Sequence, residues 1–306
     1  MEILTETSAS LPASVATLGT FDGVHLGHKS LIASTVDRAR RLGVPSVVIT
    51  FDVLPKAFFA NTVEPHKLMT TEEKCEAVAR CGADYIYIIH FDDALAQLSP
   101  EEFLLRHMVE RLGVRHFVMG FNHRFGHGNY PLSYYDELCL RHGIASSRVE
   151  RLTIADGMAC SSSEVRSALR QGDVARACAI LGREYTVTGK VVRGDGIGRQ
   201  LGYPTANVQT DSTKIVPAEG VYEARALVNG KTYKAAAFVG RRATLDCDEM
   251  RLEVYILNFS ADIYGNLITL SFVDRIRGVK HFANLSELKE QIKCDVAFFK
   301  KGKQKV

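Results

Sequence analysis

The spacing of apolar residues changes character once along this chain. In the first half, short β-rich apolar runs at 15–20, 46–51, 85–91, 116–120 and 148–154 alternate with segments of helical period at 27–42, 71–80, 100–112 and 132–141. Strands that alternate with amphipathic helices bury both sheet faces most readily as a parallel sheet covered by helices, so a doubly wound α/β domain is expected. Ser99-Pro100-Glu101-Glu102 marks one helix start, with serine suited to the cap and proline to the first turn. After a helical passage at 163–181 the period falls to two: alternating runs at 185–192, 221–228, 233–239, 251–257 and 268–275 are separated by Gly-rich turns, with Asn229-Gly230 as a hairpin signal. That texture predicts a small antiparallel β-barrel, closed by an amphipathic helix at 285–299. The boundary is placed near Arg183, giving domains 1–182 and 183–306, each long enough to bury its own core.

Composition narrows the class. With 46% hydrophobic and 24% charged residues the chain is an ordinary globular one, and a formal net charge of +3 gives no reason to expect nucleic acid as a partner. The terminal lysines Lys300, Lys301, Lys303 and Lys305 read as a solvated tail. Seven scattered cysteines, with no CxxC pair and no metal-ligand spacing, read as free thiols in a reducing compartment. Glu2, Glu6 and Ser8 precede any apolar run, unlike a signal peptide, and no apolar stretch approaches the ~18 residues that span a bilayer. A cytoplasmic protein without a membrane partner is expected; oligomeric state is not legible.

The segment Thr17-Leu-Gly-Thr-Phe-Asp-Gly-Val-His-Leu-Gly-His28 leaves the first strand, passes through glycines and enters a helix. Ligands of open α/β sheets collect at the carboxyl ends of strands, where a helix N-terminus offers N–H groups to an anion. His25 and His28, on one helical turn, point to one side and can both donate to a phosphate, and Gly27 lets a nucleotide approach closely. No Walker lysine pattern and no evident nucleophile accompany them, so stabilisation of charge on an α-phosphate during in-line displacement fits better than covalent catalysis. An isolated His-x-Gly-His would equally suit a helix cap beside a surface histidine.

The longer run, Gly19-Thr-Phe-Asp-Gly-Val-His-Leu-Gly-His28, resembles the signature of the nucleotidyltransferase superfamily in the form carried by bacterial bifunctional FAD synthetases. Met119-Gly-Phe-Asn-His-Arg-Phe-Gly126 is similar to a second family segment, and Ser161-Ser-Ser-Glu-Val-Arg166 to its Ser-Ser-Thr-x-Ile-Arg element. The resemblance implies ATP contacts from Gly19, Thr20, Phe21, Asp22, Gly23, Gly27, Asn122, Ser161, Ser162, Ser163 and Arg166, catalytic roles for His25 and His28, and flavin contacts from Asp52, Phe58 and Asn122. Thr50-Phe-Asp-Val-Leu-Pro55 departs from the family's Thr-Phe-Asp-Pro-His-Pro, losing a histidine and a proline, and Ser163 replaces a threonine.

In the second half, Gly194, Gly196, Gly198 and Gly202 precede Pro204-Thr-Ala-Asn207. Glycines let successive N–H groups form an anion nest, and the Thr205 hydroxyl and Asn207 carbonyl are hard oxygen ligands suited to Mg²⁺. Joined to Leu201-Gly-Tyr203, this resembles the riboflavin kinase module that ends the same enzymes, implying ATP contacts at these glycines, Arg199, Thr205 and Asn207, with Glu253 as general base and Arg277 against the flavin. Departures are more numerous here: Phe238-Val-Gly-Arg-Arg-Ala-Thr244 replaces Asn-Ile-Gly-x-Arg-Pro-Thr, Tyr255 and Asn258 replace histidine and aspartate, and Arg277-Gly-Val279 lacks the carboxylate of Arg-x-Glu.

The expected reactions are riboflavin plus ATP to FMN at the barrel, then FMN plus ATP to FAD at the first site, both with Mg²⁺. Two alternatives stand beside them: adenylyl transfer alone, with the barrel as scaffold, and a flavin-binding or storage protein without turnover.

Overall fold

The computed structural model describes residues 1–60, 67–154, 157–194, 196–244, 247–280 and 282–301; Asp195 of the glycine loop and the tail residues Lys303 and Lys305 lie outside these. The chain divides into two compact units, Met1–Ser162 and Ser163–Val306.

The first unit is built on a six-stranded parallel sheet of β1 (Glu2–Leu4), β2 (Ser14–Leu18), β3 (Ser46–Phe51), β4 (Tyr85–Ile89), β5 (Val114–Gly120) and β6 (Ala145–Val149), in the order β1-β4-β3-β2-β5-β6. Every residue of β2 and β3 is buried, as expected of central strands covered on both faces. The helices are α1 (Leu26–Leu42), α2 (Pro55–Ala60), α3 (Thr71–Arg80), α4 (Asp93–Gln97), α5 (Pro100–Phe103) and α6 (Leu132–Arg141). Helix α1 buries Leu31, Ile32, Val36 and Ala39 and stops at Gly43, which takes the left-handed φ of 65° and donates back to Ala39 and Arg40. Because β3 lies on one side of β2 and β5 on the other, the strand order reverses at the carboxyl end of β2. Crevices of that kind are where ligands bind in open α/β sheets.

Three details differ from the sequence expectation. The edge strand runs at Ala145–Val149 rather than 148–154, because pairing with β5 sets Ala145 against His116 and Val149 against Gly120. The helix expected over 100–112 continues beyond α5 as a π-helical segment, Leu104–Glu110, that places His107 beside Tyr87 with Nδ1 3.1 Å from the phenol oxygen. Burial pushes that imidazole down to about 4, so it packs neutral. Strand β1 is too short for periodicity to reveal.

In the second unit the helical passage is two helices. Helix α7 (Ser162–Gln171), whose first residue closes the first unit, ends at Gly172 with φ 76°, and Asp173 caps α8 (Val174–Leu181) by accepting from the Arg176 N–H. The barrel follows: β7 (Tyr185–Val192), the short α9 (Ile197–Gln200), β8 (Ala206–Thr210), β9 (Gly220–Val228), β10 (Lys231–Thr244), β11 (Cys247–Ile256) and β12 (Leu267–Arg277), with α10 (Leu285–Lys301) last. The strands pair antiparallel and close in the order β10-β11-β8-β7-β12-β9. Val228 pairs with Lys231 around Asn229 and Gly230, both at positive φ, the conformation a tight primed hairpin turn requires.

Candidate functional sites

The first site stands on the turn between β2 and α1. His25 is the N-cap of α1: its Nδ1 accepts from the His28 N–H at 3.2 Å, which makes Nε2 the donor of the neutral ring. The two imidazoles stack with centroids 3.6 Å apart and 19° between planes, and His28 meets the Phe21 ring edge at 5.1 Å. The sequence therefore places both histidines as one unit at a helix N-terminus, where the macrodipole favours an anion. Phe21 at φ 45° and Val24 at φ 40° sit in the left-handed region, flanking Gly23 at φ 88°, so this turn is strained and held by its surroundings. At Gly27 a Cβ would lie 3.2 Å from the His25 ring, so a side chain there would press on the cap.

Asp22, almost wholly buried, accepts at its carboxylate from the N–H groups of Leu68 and Met69 at 2.9 to 3.2 Å. Its backbone carbonyl accepts from the Ser162 hydroxyl at 2.7 Å, which ties the serine element to the signature turn. Ser161 precedes that contact, while Ser163 and Arg166 lie further along α7, in the second unit. Gly19 and Thr20 follow β2 directly, and the Thr20 carbonyl accepts from Thr50 at 3.1 Å.

Because the strands are parallel, the segments after β3 and β5 emerge at the same edge of the sheet as the signature turn. Asp52 follows β3 and accepts from the Val53 and Phe91 N–H groups, with His90 Nδ1 at 2.7 Å. Burial raises the Asp52 carboxyl, but these hydrogen bonds outweigh it and the net shift is downward; the bond to Asp52 moves His90 upward. This exposed histidine sits beside the loop whose own family histidine is replaced by Leu54. Phe58 lies on α2, edge-on to Phe91 at 5.3 Å, and Asn122 is exposed just after β5. The serine element also brings Cys160 near α1: burial pushes its thiol up against the opposing effect of the Gly27 N–H.

The second site is assembled by strand pairing. On β11, Glu253 stands opposite Asn207 of β8, and the Thr205 hydroxyl donates to the Glu253 carboxylate at 3.1 Å. A Cβ at Gly198 would collide with the Tyr203 carbonyl, so that position has room only for hydrogen, while one at Gly194 would have to push the Asn207 side-chain amide aside. Gly196 and Gly202 have positive φ values of 72° and 87°, while Arg199 is exposed at the end of α9. The glycines, hydroxyl, amide and carboxylate thus come together.

Several departures acquire a physical reading here. Tyr255 packs edge-on against Tyr203 of the motif at 5.6 Å. Asn258 adopts φ 54°, a conformation asparagine tolerates better than most residues. Phe238 pairs with Glu253 across the sheet, and its ring occupies the space a Cβ at Gly240 would need. The guanidinium of Arg277 is engaged by Asp295 of α10, from Nε at 3.0 and 3.2 Å and from Nη2 at 2.6 Å, while Nη1 donates to Gly278 at 3.1 Å. Arg277, whose motif lacks a carboxylate at Val279, is thus paired with a carboxylate of the C-terminal helix.

Fold and sites define a two-unit class of protein: a nucleotidyltransferase-type α/β domain with a histidine pair at the sheet's switch point, followed by a kinase-type barrel. The FAD synthetase family matches residues 7–164, and the riboflavin kinase family matches residues 181–302. A bifunctional riboflavin kinase/FMN adenylyltransferase of Pseudomonas fluorescens is 35% identical over 92% of this chain and 91% of its own. One of Bacillus subtilis is 36% identical over 92% and 90%. A crystal structure described as a macrolide-efflux protein from Streptococcus pneumoniae has a TM-score of 0.88 at 29% identity, covering 98% of this chain and 99% of that one. The chain belongs to the family of bifunctional riboflavin kinase/FMN adenylyltransferases. Among the described residues, no helix is long and apolar enough to cross a membrane.

The sequence reading passed over Lys74, which proves to be buried among the groups that hold the signature turn. The signal was present: 74, 75, 77 and 78 share the inward face of α3.

Proposed function

We propose that this chain phosphorylates riboflavin to FMN at the barrel and adenylylates FMN to FAD at the first unit, using ATP in both steps. The observation that carries the bifunctional reading is the Thr205–Glu253 contact with Asn207 opposite, because it keeps the base and hard-oxygen donors together despite the altered motifs. A barrel retained as scaffold alone would have no need of this grouping.

At the barrel, Glu253 accepts the proton of the ribityl 5'-hydroxyl as its oxygen attacks the γ-phosphorus of ATP and ADP leaves. The glycine loop at 194–202 and Arg199 receive the phosphates. Mg²⁺ suits Thr205 and Asn207 on the chemistry of the donor set; with one carboxylate beside them, and no cluster of three His, Cys, Asp or Glu side chains among the described residues, such an ion would draw its remaining ligands from water and phosphate. It would supply charge neutralisation on the transferring phosphoryl group.

At the first unit, a phosphate oxygen of FMN attacks the α-phosphorus of ATP in line with the departing pyrophosphate. Nε2 of His25 and the His28 ring, at the positive end of α1, stabilise the charge that builds on the α-phosphate oxygens. Gly19 to Gly23 and Gly27 shape the turn around ATP, with Asn122, Ser161 and Ser162 as further ATP contacts and Asp52, Phe58 and Asn122 as flavin contacts; Arg277 is the flavin contact of the barrel. A cytoplasmic setting is part of this reading, supported by the free thiols of Cys75, Cys81, Cys139, Cys160, Cys178 and Cys294.

The test is a chromatographic time course with riboflavin, ATP and Mg²⁺. FMN that appears and then gives way to FAD supports both steps. Persistent riboflavin alongside conversion of added FMN would leave adenylyl transfer alone; tight flavin binding without turnover would leave a storage protein.

A further inference from the structure

Two opposite charges are buried at the first site, one of them inside the signature turn itself. Lys74, in the first turn of α3, is 3% exposed, and Asp22, in the signature turn, is 1% exposed. Charged groups so deeply buried require partners, and these have them on three separate segments. The Lys74 ammonium donates to the Phe51 carbonyl at 2.6 Å and to the Thr50 hydroxyl at 3.2 Å, at the end of β3. That hydroxyl donates onward to the Thr20 carbonyl at 3.1 Å, inside the signature turn. The Asp22 carboxylate, which attracts Lys74, accepts from Leu68 and Met69 immediately ahead of α3. The turn held this way contains Phe21 and Val24 in the left-handed region, a conformation that persists only where its surroundings impose it.

We propose that Lys74 is a positioning residue for adenylyl transfer: through Thr50 and Asp22 its ammonium fixes the β2–α1 turn against β3, and so holds His25 and His28 where they meet phosphate. This rests on the adenylyl-transfer reading of the site. A misplacement of about 1 Å in a catalytic constellation costs on the order of 100-fold in rate, so a remote anchor of the turn has kinetic leverage.

Charge state gives the anchor a signature. Burial pulls Lys74 down to about 8; Asp22, Cys75 and Asp52 oppose that shift and Lys67 adds to it, and these are the titratable groups in its field. Folding lowers the pKa from 10.5, so between about 8 and 10.5 the unfolded chain holds more protons and this residue makes the fold more stable as pH rises. In the folded protein the ammonium is lost as pH rises through about 8, which weakens its hold on Phe51 and Thr50 and loosens the turn. Positioning and stability therefore move in opposite directions.

The experiment compares wild type, Lys74→Arg, Lys74→Met and Thr50→Val in both reactions from about pH 7 to 9.5, with amide hydrogen exchange across residues 19–28. Lys74→Met is expected to lower kcat for FMN adenylylation by ~10- to 100-fold with KM changed by less than about 3-fold, to leave riboflavin phosphorylation unchanged and to speed exchange in the turn. Lys74→Arg, which stays charged, should recover much of the rate and remove the alkaline decline; Thr50→Val should lose less than Lys74→Met in the same direction and serves as the probe if the methionine variant does not fold. Unchanged adenylylation and exchange, or equal losses in both reactions, would overturn the proposal. If wild type does not adenylylate FMN, the functional reading falls, and exchange in the turn still decides whether Lys74 anchors it.

Discussion

The two candidate sites, proposed to hold the phosphates of ATP, are built by opposite means. In the first, the histidine pair lies within one turn of α1, and its order comes from a cap, a ring stack and a buried turn. In the second, a helix of only four residues lies among the glycines, and Gly194, Thr205, Asn207 and Glu253 meet because β8 pairs with β11. A site built from neighbours in sequence depends on one local conformation. A site built across strands depends on register, and a slip of one residue would turn Glu253 to the other face.

Four substitutions test that contrast. The largest effect is expected from Glu253→Gln, which removes the base: riboflavin phosphorylation should fall by about 1,000-fold in a product assay while FMN adenylylation is unaffected. Next, His28→Ala should lower adenylylation by ~100-fold and leave the kinase step intact, because it removes a donor to the developing charge. Loss of both activities in either variant would mean that the sites are not independent. Gly194→Ala should reduce the kinase rate by about 10-fold without altering adenylylation, since the added methyl must displace the Asn207 amide; a normal rate would show that the loop can yield.

The smallest effect is confined to the first unit. Folding raises the His90 pKa above 6.5, so its bond to Asp52 contributes fully below that pH and is lost as pH rises through the folded value. Asp52, whose pKa is lowered, contributes above 3.8 and loses its share only as pH falls through its own folded value. His90→Ala should therefore lower the thermal midpoint relative to wild type more at pH 5.5 than at pH 8.5. An equal difference at both would remove the charge from the account.

How much of this was legible follows from the same contrast. The histidine turn could be read because its residues are contiguous, and α3 and α6 were placed to the residue because the capping box of α3 and the apolar faces of both are local. Strand β8 was not read as a strand, since its residues belong to a motif and its partners lie far along the chain. Edge strand β6 was set too late because Ala145, Ser146 and Ser147 have little strand character and owe their conformation to β5. Asp295 could not be assigned to Arg277, as nothing local relates a C-terminal helix residue to a carboxylate absent from a strand-end motif. Lys74 escaped notice because a lysine is ordinarily a surface residue.

The left-handed pair Phe21 and Val24 also bears on heat. Each such residue stores about 1–3 kcal/mol that the folded surroundings must restrain, whereas Asn207 and Glu253 of the barrel sit on regular strand backbone. On warming, the turn can relax while the sheet beneath it is still formed. FAD formation should then fail at a lower temperature than FMN formation, and a heated sample would accumulate the intermediate before either unit melts.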